Sequence, residues 1–156
     1  MGAKRKESRE MTAEEEKMLQ FDDFRNEDAL AFAKKITDWA KENSIKPLGI
    51  RITKDDLLVF QYLMDGKKED NWLKRKERTV LESGHSSLYV FEHAQEYPQM
   101  KDNDLYCVGG GGFPLVIKGE MRGSICVSGL VHTEDHALIV RTLKELKNEK
   151  ETAGKE

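Results

Sequence analysis

Most of the residues whose types and spacing could do chemistry lie in one segment, Cys107–His136, CVGGGGFPLVIKGEMRGSICVSGLVHTEDH. It opens on four consecutive glycines, Gly109–Gly112. Glycines before a helix can cradle phosphates, but Phe113 and Pro114 follow where a dinucleotide-binding helix should open. No Gly-Lys-Ser/Thr follows, so a P-loop is excluded. The glycines instead suit the close approach of another backbone, at a subunit contact or beneath a ligand. His132 and His136 are spaced to share one helical face. In HTEDH, however, Thr133 stands where the zinc-protease motif needs Glu, and His132 precedes the expected cap. Hydrogen bonding at a helix start is therefore the reading for His136, and no tightly bound zinc is expected. Asp135 suits the positive end of the same helix.

Other reactive types are poorly arranged. Ser86, Ser87 and Ser128 lack the nucleophile elbow of a serine hydrolase. His85 and His93 have no carboxylate or cysteine at ligand spacing. Cys107 and Cys126 fall in apolar strand runs, which disfavours a reactive thiolate and suits reduced thiols in a cytoplasmic protein. Lys74, Arg75, Lys76 and Arg78 surround a helix without forming one stripe, as a solvated surface does.

The elements that must position these residues follow from pattern. Leu115–Ile117 and Ser124–Val127 are apolar runs joined through Lys118-Gly119-Glu120, which predicts a hairpin fed by the glycine-rich strand. Ser128-Gly129 ends it, and Thr133 is the expected N-cap of a last helix carrying Leu138, Ile139, Leu143 and Leu146. Upstream, Thr12 and Glu15 have capping-box spacing for a short helix from Ala13 to about Leu19. Phe21–Phe24 reads as extended. Asn26 caps a helix whose core stripe is Leu30, Ala33, Ile36 and Ala40, with Phe32 and Trp39 beside it. Leu48–Ile52 and Leu57–Met64 form a second hairpin around Lys54-Asp55-Asp56. Asp70 precedes a helix with Trp72, Leu73, Val80 and the stem of Lys76 on its apolar face, stopped by Gly84. His85-Ser86-Ser87 starts a short helix through about Ala94.

A chain of 156 residues suits one domain with one core. The expected division is a disordered basic tail over 1–10, a single domain over 11–148, and a polar tail over 149–156. No apolar run approaches the ~20 residues that span a bilayer. The formal net charge of −3 argues against a general nucleic-acid binder. Two hairpins with helices before, between and after them predict an α+β antiparallel sheet flanked by helices.

The GGxFP pattern at Gly110–Pro114, VSGL at Val127–Leu130 and the Asp135-His136 pair carry a resemblance. FDDF at Phe21–Phe24 and Trp72 followed by Arg75-Lys76 support it. Over roughly residues 19–147 the chain resembles the UPF0303 family, a branch of the haem-degrading-domain superfamily of HbpS-like and GlcG-like proteins. The resemblance implies a profilin-like α/β sandwich with about five strands, and a homo-oligomer. It also implies haem or another tetrapyrrole as ligand. The pattern departs at Gly109, where family members often carry His, so no haem ligand carries over to that position.

Two functions of different classes follow. One is a self-assembling, non-catalytic binding protein for a small acidic ligand, held between the helices and the glycine-rich hairpin. Its candidate residues are Arg75, Gly110, Gly111, Phe113, Ser128, Gly129, Thr133 and His136. Arg75 would bring its fork to a carboxylate such as a haem propionate, and Phe113 would be an aromatic wall. The other is an oligomeric adaptor that binds protein partners and takes no small ligand. A haem-degrading enzyme is a weaker third reading, resting on the superfamily name. The Gly109–Pro114 strand is expected at or near a subunit interface.

Overall fold

A computed structural model describes residues 2–43 and 46–154, with side chains from residue 9 onward. Helix α1 spans Gly2–Met18 and α2 spans Asn26–Asn43. The hairpin β1 (Gly49–Lys54) and β2 (Leu57–Leu63) comes next. It is followed by α3 (Asn71–Ser83) and α4 (Ser87–Glu92). The hairpin β3 (Gly112–Ile117) and β4 (Glu120–Ser128) leads into α5 (His132–Ala153). The strands make one antiparallel sheet in the order β2-β1-β4-β3. The fold is the expected α+β arrangement, with four strands where about five were expected.

Residue alternation gives the sheet two unlike faces. One carries Ile50, Ile52, Phe113, Leu115, Ile125 and Val127, all within 1% of full burial. It packs on Phe32 and Ile36 of α2 and on Leu138, Ile139 and Leu143 of α5. Each such side chain stabilises the fold by about 1.5–3 kcal/mol when fully buried. The opposite face offers Gly112, Ser124 and Cys126. With so little side-chain bulk there, α3 approaches closely enough that a Cβ on Gly112 would lie 2.8 Å from Val80.

Several expected boundaries move, each for a tertiary reason. Helix α1 begins at Gly2, so residues 2–10 of the segment expected to be disordered are helical. Thr12 and Glu15 do not form a capping box. Thr12 Oγ1 donates to Glu92 Oε1 at 2.5 Å, and Glu15 turns to His136. Asn26 is the first residue of α2, not its cap, while Asp28 accepts from the Arg25 N–H at 2.7 Å. Leu30 is exposed, and Ala29 takes its place in the buried stripe. Much of the polar C-terminal tail is the last turn of α5. The Gly84 stop stands, with φ 75° and its N–H donating to Val80.

The two sheet edges differ. Phe21 bridges Ile117 of β3, donating to Val116 O and accepting from Lys118 N, so that edge is partly closed by the chain itself. Strand β2 is the open edge.

Candidate functional site

The site grows from the inner stripe of α3. Leu73, Lys76, Thr79 and Val80 are its buried residues, Lys76 three after Leu73 and Val80 four after Lys76, as one helical face requires. That stripe therefore carries a lysine into the small-residue face of the sheet. Lys76 Nζ donates to Val127 O at 2.8 Å and to Asp135 Oδ2 at 3.0 Å. The two side chains are 5% and 2% exposed. The other Asp135 oxygen accepts the Leu130 N–H at 3.0 Å. One buried ammonium thus ties α3 to the end of β4 and the first turn of α5. Burial pushes the Asp135 carboxyl up, and the Lys76 charge pulls it back.

The glycine-rich loop wraps this pair. Gly111 sits at φ +120°, and a Cβ there would stand 2.3 Å from Lys76 Nζ and 2.6 Å from Val127 O. A Cβ at Gly110 would lie 2.3 Å from His132 O. Bare backbone is what lets the loop close over both α3 and α5. The Gly110 N–H donates to His132 Nδ1 at 2.9 Å, and the Gly112 N–H donates to Ser87 Oγ at 2.8 Å. The glycines therefore make room for this chain's own helices, and Gly109–Pro114 is buried within the subunit. The strand expected at an interface is thus packed on its own subunit, and Phe21 pairs with its continuation at Val116 and Lys118.

All four histidines of the chain gather around α1, α4 and α5. His132 stands edge-on to Phe91, with centroids 4.9 Å apart. Burial lowers its pKa, and Lys76 adds to the effect. His136 Nε2 pairs with Glu15 Oε1 at 2.8 Å, and its ring lies 5.9 Å from Phe113. Its Nδ1 is buried and has no partner among the described residues. His85 Nδ1 meets Glu16 Oε1 at 2.9 Å, and burial raises the Glu16 carboxyl. His85, Tyr89 and His93 stack in a column at 3.9 Å spacings.

The sequence candidates fall into two groups. Gly110, Gly111, Phe113 and His136 meet at this corner. Phe113 is fully buried beneath it and so forms its floor instead of an exposed wall. Arg75 lies along the preceding loop: its Nε donates to Tyr106 O at 2.9 Å, and its guanidinium stacks 3.9 Å over Trp72. Lys76, not Arg75, reaches the glycines. Ser128 Oγ accepts from Lys67 at 3.3 Å, and Gly129 closes on Leu48 at φ +145°. Thr133 is exposed and caps nothing. Val131 is the N-cap, because Asp135 is drawn inward to Lys76 and Leu130. Sequence reasoning missed the Lys76–Asp135 pair, Glu15, Glu16 and Phe91. Only Lys76 left a signal, three residues after Leu73 and four before Val80.

Against known proteins, the model of the family described as "Haem degrading protein HbpS-like" matches residues 24–144. The chain belongs to the HbpS-like family. A UPF0303 protein of Psychromonas ingrahamii is 36% identical over 141 residues, 85% of this chain and 88% of its own. A UPF0303 protein of Streptomyces coelicolor is 33% identical over 140 residues, covering 84% and 88%. Among solved structures, the Ybr137w protein superposes with a TM-score of 0.81 at 28% identity, covering 90% of this chain and 89% of that one. The crystal structure of a PduOC:heme complex gives a TM-score of 0.65 at 14% identity, covering 79% and 94%. At that identity the likeness shows the fold alone.

Proposed function

We propose that this HbpS-like protein is a non-catalytic binding protein for a tetrapyrrole or another flat, acidic ligand, with haem the leading candidate. The observation that carries the reading is the exposed Phe91 ring set against His132, whose imidazole the glycine loop anchors. Val131, also exposed, continues that apolar surface at the start of α5. Arg75 supplies full positive charge at the other end of the loop. Residues 106–110 join the two, so at most ~14 Å of extended backbone separates them.

Haem itself fits this surface in part. Its ring face suits Phe91, and its propionates suit Arg75 and the donors at the start of α5. The iron finds less: His132 Nδ1 is engaged by Gly110, and His136 Nε2 by Glu15.

Haemin titration tests the reading. A saturable Soret shift is expected, with Arg75→Ala weakening binding by about 1.5–3 kcal/mol, the scale of a charged hydrogen bond. Weak, non-saturating binding that is identical in wild type and variant would sink it.

A specific observation favours the adaptor as second reading. Strand β2 leaves Leu57, Leu58 and Tyr62 exposed on an open edge. Such an edge accepts protein without any small ligand.

A further inference from the structure

We infer that His132 is the ligand-selecting donor of this site: the Gly110 N–H fixes the imidazole proton on Nε2, so the ring offers N–H to a ligand acceptor and does not ligate iron. This deepens the binding reading above and rests on it for the ligand, though the tautomer does not.

A backbone N–H can only donate, so the 2.9 Å contact from Gly110 requires a lone pair on Nδ1. A neutral ring with its lone pair there carries its proton on Nε2. The surroundings keep the ring neutral. Burial disfavours the imidazolium, as do the Lys76 ammonium from α3 and His136 on the same helix. Asp135 pulls the other way, but its carboxylate is already committed to Lys76 and Leu130. From α4 the facing group is the uncharged Phe91 ring.

Nε2 is free to act outward. His132 is only partly buried, and Nε2 is not among the buried side-chain atoms that lack a partner. The glycine loop therefore works as a tautomer lock, with its rigidity supplied by Lys76 and Ser87 beneath it. One turn along, His136 Nδ1 remains buried without a partner among the described residues, which leaves a polar atom of this corner that those residues do not satisfy. A donor beside an exposed aromatic face selects a flat ligand with an acceptor at its rim. Iron would need the Nε2 lone pair that the lock removes.

The test combines two measurements. Ring-nitrogen NMR of ligand-free protein labelled with 15N-histidine, at pH 7.5, should show His132 protonated on Nε2 and bare on Nδ1. The signal is assigned by its absence in His132→Phe. Titration with haemin and with metal-free protoporphyrin IX should give affinities within threefold of each other. His132→Phe keeps a ring against Phe91 but has no donor, and should weaken both by about tenfold. His132→Gln can accept from Gly110 and donate outward, and should recover most of the loss. A thermal melt of each variant separates misfolding from lost recognition. Nδ1 protonation, haemin binding without protoporphyrin binding, or equal affinities in wild type and His132→Phe would each overturn the inference. If neither porphyrin binds the wild type, the ligand reading fails, while the ring spectrum still decides the tautomer.

Discussion

Lys76 and Asp135 set the residue-scale energetics of the site. A buried ion pair contributes little over an apolar replacement, but breaking it leaves one charge without its partner. Lys76→Ala is expected to cost about 3–5 kcal/mol in urea unfolding. Pairing Lys76→Met with Asp135→Leu should recover most of it; if the double variant is as unstable as the single one, the pair is not the cause. His132 supplies a pH dependence of definite sign. Its folded-state pKa is lowered, chiefly by burial. The stability it contributes is therefore fully present above the unfolded value, about 6.5, and is lost as pH falls through it. Acidification protonates Nδ1 and breaks the Gly110 bond. The protection of the Gly110 amide, measured against its intrinsic exchange rate, should fall with acidification at a pH below the ordinary histidine value of about 6.5, and His132→Phe should abolish that acid-dependent change. Cys126 has no part in such chemistry, since burial leaves its pKa pushed up to about 12.

At the scale of elements, the glycine loop and α1 are the parts under most constraint. Gly111→Ala forces a Cβ into the left-handed region and against Lys76 Nζ. A loss greater than about 1 kcal/mol is expected from the backbone conformation alone, read as a lower melting temperature. An unchanged melt would mean the loop is not held as described. Helix α1 docks through adjacent carboxylates, Glu15 on His136 and Glu16 on His85. Glu15→Gln with Glu16→Gln should speed amide exchange over residues 9–18 and leave β1 and β4 protected. Equal protection in both proteins would assign the docking to apolar contacts such as Leu19.

For the whole molecule, the exposed sheet edge is β2. Its seven residues, Leu57–Leu63, carry no charge. Natural edge strands usually protect themselves with Lys, Pro or a covering segment, and among the described residues this one shows only partly exposed, uncharged side chains. Antiparallel edges of identical chains can pair about a two-fold axis. Association with a second copy through β2 is the expected outcome, with Leu58→Lys shifting sedimentation toward a 17.9 kDa species. A wild-type protein that stays at that mass at micromolar concentration would rule it out. No helix among the described residues is long and apolar enough to cross a membrane.

The hairpins, the Gly84 stop, the short helix after Ser86 and the core stripe of α5 were legible in the sequence because each depends on neighbours within one turn or one strand pair. The family resemblance was legible for a related reason: its motifs sit at the joints between those elements. Charge placement was not. Four basic residues crowd α3, and periodicity alone set Lys76 beside the apolar stripe without saying that its head would be buried. That outcome depended on the small-residue sheet face, which draws α3 close, and on Asp135 arriving from a helix 59 positions away. The cap of α5 moved from Thr133 to Val131 through the same pull, and the glycines make room for α3 and α5, whose approach is a tertiary contact. Local patterning fixes which elements form, whereas burial of a charge and choice of a histidine's tautomer depend on contacts that exist only once those elements have packed.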